Sequence, residues 1–195
     1  MPLIGILLAA GKGARFGGAK LLTPLPVASH GVGAGTGIGV ASCLHLLSAV
    51  PEVVAVVRPG DSMLASQLEA AGARVVECAR ADEGMGASVA CGVAAAAEAD
   101  GWIVALADMP WIAPATIAVV ADAMRAGADI VATSYIGVRA HPVGFARQHY
   151  LALTALTGDA GAKAILTAHR DSLQLIEVVD SGVVRDVDTR ADIGT

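Results

Sequence analysis

Short apolar runs alternate with longer stretches of helical periodicity along most of the chain. Leu3–Ala9, Val53–Val57, Arg74–Cys78, Trp102–Ala107 and Asp129–Thr133 are brief, often β-branched and bounded by turn residues, a pattern that predicts buried strands. Between them Gly39–Ala49, Ser62–Ala71, Ala87–Ala99 and Pro114–Ala126 read as helices. Pro114 suits a first helical turn, where its missing N–H costs nothing, and Gly127 suits a helix end. This β-α-β-α order predicts a single α/β domain over 1–195, with a mostly parallel sheet and helices on both faces. The rhythm changes after Tyr135. Ile136–Arg139 reads as a turn, His141–Phe145 as extended and Gly158–Ala168 as helical, while Leu173–Val179 and Val183–Val184 read as late strands.

Composition narrows the classes of partner. A length of 195 residues supports one domain with a real core. The 55% apolar content is rich in Ala, which favours closely packed helices. A formal net charge of −5 with no basic block argues against nucleic acid, whose phosphates need clustered Lys and Arg. Cys43, Cys78 and Cys91 are scattered and odd in number, with no C-x-x-C, so free thiols in a reducing cytoplasm are expected. The first ten residues lack the basic start and cleavage pattern of a signal peptide. The uncharged stretch between Lys20 and Glu52 is broken by Pro24, Pro26 and the alternating glycines Gly31–Gly39. It is not a membrane span, which needs roughly 20 mostly apolar residues in a row.

In open parallel sheets ligands sit beyond the carboxyl ends of the strands. Chemistry is therefore expected just after Ala9, Ala107 and Val184. The first of these segments, from Leu8 through Ala9, Ala10, Gly11, Lys12, Gly13, Ala14, Arg15, Phe16, Gly17, Gly18 and Ala19 to Lys20, is rich in glycine and carries cations. Glycines let backbone N–H groups approach phosphate oxygens. Arg15 offers a bidentate fork, and Lys20, read as an exposed loop lysine, a compact charge for a reacting phosphate. A structural glycine loop with solvated charges is the plain alternative. A Walker A loop is ruled out because no Gly-Lys-Ser/Thr ends the segment, and a dinucleotide fingerprint fails because Phe16 replaces its third glycine.

Two carboxylates stand out. Asp108, in Ala107-Asp108-Met109-Pro110, follows a buried strand, where a carboxylate suits Mg²⁺ or simply caps a turn. Asp186 and Asp188 share a side if their segment is extended. Asp188 also suits the N-cap of a short helix over Thr189–Ile193. Glu83-Gly84-Met85-Gly86-Ala87-Ser88 enters a helix whose backbone amides can meet an anion or a base edge, or make a plain turn. His141 on its own reads as structural more readily than catalytic, because a usable base needs placed partners.

The loop pattern L-A-A-G-x-G-x-R-x-G-x-x-K over Leu8–Lys20 resembles the signature of MobA-like NTP transferases, and Phe16–Leu22 resembles their molybdenum cofactor cytidylyltransferase branch. Further segments are similar in order along the chain: Glu83–Ser88, Ala107–Pro110, His141–Val143, Gly158–Lys163 and Asp186–Thr189. The resemblance implies a Rossmann-like nucleotidyltransferase fold, of the kind found in nucleotide-diphospho-sugar transferases. It implies that Leu8, Ala9, Ala10, Gly11 and Gly13 hold the triphosphate and that Arg15, Lys20 and Asp108 are catalytic. It further implies that Gly84, Gly86 and Ser88 line the nucleotide site and that Mg²⁺ sits on Asp108 and Asp188. His141 and Lys163 fall on the acceptor side, where Lys163 replaces an Arg. Arg190 stands where the family often has Pro, and Gly31–Gly39 replaces a Gly-Lys-Pro segment before the first long helix.

The expected reaction joins CMP from CTP to the terminal phosphate of a molybdopterin-type acceptor, releasing pyrophosphate. An apo-molybdoenzyme or its chaperone is a further expected partner. The scarcity of aromatic residues (two each of Trp, Tyr and Phe) disfavours a stacked purine sandwich. Guanylyl or sugar-phosphate transfer on the same fold, and a non-catalytic cofactor-binding chaperone, are the other readings.

Overall fold

The computed structural model describes residues 2–193. Seven strands form one sheet: β1 (Leu3–Leu8), β2 (Glu52–Val57), β3 (Arg74–Glu77), β4 (Gly101–Leu106), β5 (Ile130–Tyr135), β6 (Val138–Ala146) and β7 (Leu173–Glu177). Their spatial order is β3-β2-β1-β4-β6-β5-β7. All neighbours pair in parallel except β6, which runs against both β4 and β5. The helices are α1 (Ile38–Leu47), α2 (Ser62–Ala70), α3 (Met85–Ala95), α4 (Pro114–Arg125), α5 (Tyr150–Thr154) and α6 (Lys163–Ala168).

The apolar continuity of β1 has a direct cause. Successive side chains alternate between faces, and both faces are covered. Leu3 and Leu7 enter a core shared with α1, α2 and α4. Ile4 and Ile6 enter a second core with α3, α5 and α6. Gly92 lets α3 approach the sheet closely, because a Cβ there would stand 2.5 Å from Ile6 Cγ2 and 2.8 Å from Val56 Cγ2. Such close approach is what a small-residue helix surface provides. No helix among the described residues is long and apolar enough to cross a membrane.

Four sequence expectations are corrected. Only Lys163–Ala168 of the expected Gly158–Ala168 helix forms. Gly158 and Gly161 adopt φ of +67° and +54°, which an α-helix excludes. Val183–Val184 lies in a 3-10 turn, Ser181–Val184, and not in a strand. Asp180 causes this by accepting the Gly182 N–H at 2.9 Å. The third helix begins at Met85 and ends at Ala95, four residues short of the expected Ala99. The Trp102 indole N–H takes the Ala96 carbonyl at 2.9 Å just past that end. Finally, Cys78 and Cys91 are joined in a disulfide with their Cα atoms 5.9 Å apart. Cys78 continues the β3 pairing, its N–H donating to the Val57 carbonyl at 2.9 Å, and the turn after it brings α3 alongside, so two cysteines 13 positions apart meet without a C-x-x-C spacing. Cys43 alone stays a buried thiol, and burial pushes its pKa up to about 11.

Candidate active site

β1 and β4 are parallel neighbours in register, Leu8 beside Leu106. Their carboxyl ends therefore deliver the glycine loop and Ala107–Pro110 to one place. Lys20 opens a 3-10 turn, Lys20–Leu22, anchored by buried Leu21. Its ammonium lies 2.7 Å from Asp108 Oδ2. The Lys20 side chain is only 11% exposed, which corrects the reading of it as an exposed loop lysine. The loop folds it inward to meet a carboxylate that is itself 25% exposed.

Asp188 arrives by a different route. Asp180 binds the start of α4, accepting from Ala113 N at 2.9 Å and Thr116 Oγ1 at 2.7 Å. The Arg185 guanidinium stacks 3.8 Å above the Trp111 ring. The Val187 N–H then donates to the Asp108 carbonyl at 2.9 Å. That hydrogen bond seats Asp188 next to Asp108, where its Oδ2 meets Arg15 Nη1 at 2.6 Å. The backbone amides of Asp188 and Thr189 are accepted by Asp192, at 3.0 and 2.6 Å. Asp192, not Asp188, closes this turn. Four charged residues singled out in the sequence thus form two ion pairs bridged by a backbone hydrogen bond.

Two clefts open beside Lys20, and the Arg15–Asp188 pair lines neither. The larger, about 690 Å³, is lined by Ala9, Gly11, Gly13 and Lys20. The second, about 350 Å³, has Leu8, Ala10 and Gly11 on one side and Gly84 and Ser88 on the other, with Lys20 and Asp108 between. Gly84 has φ +121°, and a Cβ there would collide with the Asp159 carboxylate and the Gly158 backbone. Only glycine fits that approach. The Gly86 N–H donates to the Gly158 carbonyl at 2.7 Å. That amide is therefore taken, contrary to the sequence expectation that it faces a ligand. Gly31–Gly39 lines none of these clefts. Its loop instead docks on the turn behind Asp108, with the Ser29 hydroxyl donating to the Pro110 carbonyl at 2.9 Å.

Sequence reasoning missed Arg58, Lys12, Asp82 and Asp159. Arg58 directly follows β2, the parallel neighbour of β1, and lines the larger cleft. Its Nη2 lies 2.6 Å from Asp82, Lys12 lies 3.2 Å from the same carboxylate, and its Nη1 is buried without a partner. The Arg58 hydrogen bond, joined by that from Lys12, holds the Asp82 carboxyl below its usual range. The usable signal was position, since a charged residue just past any parallel strand reaches the same sheet edge.

A third pocket of about 190 Å³ brings Arg139, His141 and Lys163 together between β6 and the loop before α6. Burial lowers the His141 pKa, against a hydrogen bond to Val104 and the nearby Asp108 charge. Burial also lowers that of His45. Both imidazoles bind protons more weakly folded than unfolded, so the unfolded state takes up more protons as the pH falls. Stability is expected to be full above pH 6.5, the ordinary histidine value, and to fall as the pH drops below it. Asp82, Glu83 and Asp192, with lowered pKa values, add losses only in the acid range of carboxylates. Melting temperatures from pH 7.5 to 5 check this, and a His45→Gln/His141→Gln double variant should flatten the slope.

The MobA-like NTP transferase domain model matches residues 5–173. The chain belongs to the MobA-like NTP transferase family. It is 32% identical to the purine catabolism protein PucB of Bacillus subtilis (strain 168), over 96% of this chain and 92% of that one. Rv0371c of Mycobacterium tuberculosis H37Rv superposes with a TM-score of 0.82 at 27% identity, covering 98% of this chain and 95% of the other. A manganese complex of Rv0371c superposes at 0.77, with 26% identity over 98% and 96% of the two chains. A nucleotidyl transferase from Methanothermobacter shares the fold at 0.79 and 22% identity, over 98% and 94%. The fold is thus the Rossmann-like nucleotidyltransferase fold, and the family is one of nucleotidyltransferases.

Proposed function

We propose that this family member transfers CMP from CTP to the terminal phosphate of a molybdopterin-type acceptor, with Mg²⁺ held by Asp108 and Asp188. The observation that carries the transfer reading is the pair of bridged ion pairs, Lys20–Asp108 and Arg15–Asp188, at the mouth of a glycine loop. Two cations and two carboxylates at one sheet edge suit a triphosphate and a divalent ion together. The donor set fits Mg²⁺, which takes one or two protein carboxylates and completes its shell with phosphate oxygens and water. When bound, the ion neutralises phosphate charge.

The chain's own residues do the rest. The Ala9 N–H is taken by the Val56 carbonyl at 2.8 Å, so the loop from Ala10 to Gly13 positions the triphosphate with backbone N–H groups, and Gly84 and Ser88 flank the nucleoside. An acceptor phosphate oxygen attacks the α-phosphorus of CTP, the α–β bridging bond breaks and pyrophosphate leaves. Lys20 and Arg15 stabilise charge on the transferring and leaving phosphates. A phosphate nucleophile is already ionised at neutral pH, so no general base is required, and His141 keeps a positioning role. Arg139 and Lys163 give the 190 Å³ pocket the positive charge that a phosphorylated acceptor needs. The shortage of aromatic side chains supports CTP over a purine nucleotide. PucB is named for purine catabolism, which leaves its acceptor unnamed. A cytoplasmic location and an apo-molybdoenzyme partner complete this reading.

The test is competition among equal CTP, GTP and ATP for limiting molybdopterin cofactor with Mg²⁺, products identified by mass. A cytosine dinucleotide with stoichiometric pyrophosphate is expected. A guanine dinucleotide would overturn the choice of base. Cofactor binding without pyrophosphate would replace transfer with a carrier role.

A further inference from the structure

At the end of the sheet opposite the clefts lies a second cluster of ligating side chains. Because β5 runs parallel to β1 and β4, Asp129, just ahead of β5, stands at the amino edge. His149 closes the 3-10 turn Arg147–His149 after β6. His169 ends α6. One atom from each of the three lies within 4.8 Å of the others.

We propose that Asp129, His149 and His169 form a binding site for a borderline divalent cation of the zinc type. His149 is 3% exposed, and its Nε2 lies 2.7 Å from Asp129 Oδ1. The His169 ring stands edge-on to His149, with centroids 4.7 Å apart at 81°. Two imidazoles and one carboxylate are a set that zinc accepts, with water in a fourth position. Mg²⁺ prefers oxygen throughout, which separates this site from the one proposed at Asp108 and Asp188. Tetrahedral ligands at ~2.0–2.1 Å from zinc stand about 3.3 Å apart, so the His149–Asp129 pair, now 2.7 Å apart, must open slightly while His169 closes in from within 4.8 Å.

The surroundings suit a metal ligand. Asp129 Oδ2 accepts from the Ser172 hydroxyl at 2.7 Å, a hydrogen bond of the sort that orients a ligating carboxylate. The Asp129 carbonyl accepts from Ala146 N at 2.9 Å, fixing the backbone. His169 is exposed, so ions have an approach from solvent. The cation would clamp three connections: the entry to β5, the exit from β6 and the turn from α6 to β7. This is independent of the transfer reaction.

The experiment strips the full-length protein with chelator, then dialyses it against zinc chloride in excess Mg²⁺. About one zinc per chain should remain, and zinc at about a hundred times its Kd should raise Tm by about 5–10 °C. His169→Ala should weaken zinc binding by about 10-fold or more while leaving the metal-free Tm unchanged, since the residue is exposed. His169→Gln serves as a second variant with little change in size, and Asp129→Asn should also lose zinc. Asp108→Asn should keep it. Zinc retained in full by the His169 variants, or lost with Asp108→Asn, would overturn the site, as would failure of the wild type to retain zinc.

Discussion

Lys20→Ala is expected to cut turnover by about 10²–10³-fold while leaving a folded protein, the range seen when one preorganised contact to transition-state charge is removed. The structure sharpens this expectation. Lys20 is held in place by Leu21 beneath it and by Asp108 at 2.7 Å, so its ammonium is positioned before substrate arrives. A positioned charge costs no reorganisation when the phosphate charge develops. The same contact predicts a modest stability cost. Alanine leaves Asp108 without its partner, but that carboxylate is a quarter exposed and water can reach it. The loss should stay near ~1 kcal/mol, a Tm shift of about 2–4 °C for a chain of this size. Lys20→Arg keeps the charge on a wider, planar group and should recover Tm more fully than turnover. Steady-state rates beside melting curves give both numbers. Turnover within a few-fold of wild type with a competent nucleotide and acceptor would remove Lys20 from the chemistry.

The parts of this molecule that were legible in the sequence are those set by local pattern. β1, β2 and β4 read as apolar runs because parallel strands are covered on both faces, and the two cores on either side of Leu3–Leu8 are the physical reason. The glycine loop was legible because its glycines and cations lie within one short segment. What could not be read depends on contacts between distant segments. Val183–Val184 has the composition of a strand, but Asp180, which caps Gly182 and the start of α4, turns it into a 3-10 element. The inward direction of Lys20 depends on Asp108, 88 positions away. The Gly86 amide looked free until Gly158 claimed it. Arg58 occupies the same edge as Asp108, but it follows β2 in a segment that carries no motif, so only the sheet order gives it a place in the site. The cysteine pairing has no spacing signal at all, since the fold rather than the sequence brings Cys78 to Cys91.

Those distant contacts also decide what happens when Asp108 is changed. Its backbone carbonyl, not its carboxylate, accepts the Val187 N–H that seats Asp188. Asp108→Asn therefore preserves the hydrogen bond that assembles the site and removes only the charge. Folding should survive, with a small loss from the weakened Lys20 contact. The Mg²⁺ concentration for half-maximal rate should rise by at least about 10–100-fold, the loss typical of removing even an outer partner of a bound metal. Turnover at saturating Mg²⁺ should still fall, because a neutral amide oxygen holds the ion–phosphate complex less firmly. Asp188→Asn should show the same direction with a smaller size. Its side chain is 46% exposed, so solvent screens its charge more than that of Asp108. Arg15, freed from Asp188, remains available to phosphate in that variant. Initial rates across a Mg²⁺ series for wild type and both variants give the comparison. An unchanged Mg²⁺ dependence in both would dismiss the shared magnesium site. A rise confined to Asp108→Asn would leave Asp188 as the residue that orients Arg15, and the metal on Asp108 alone.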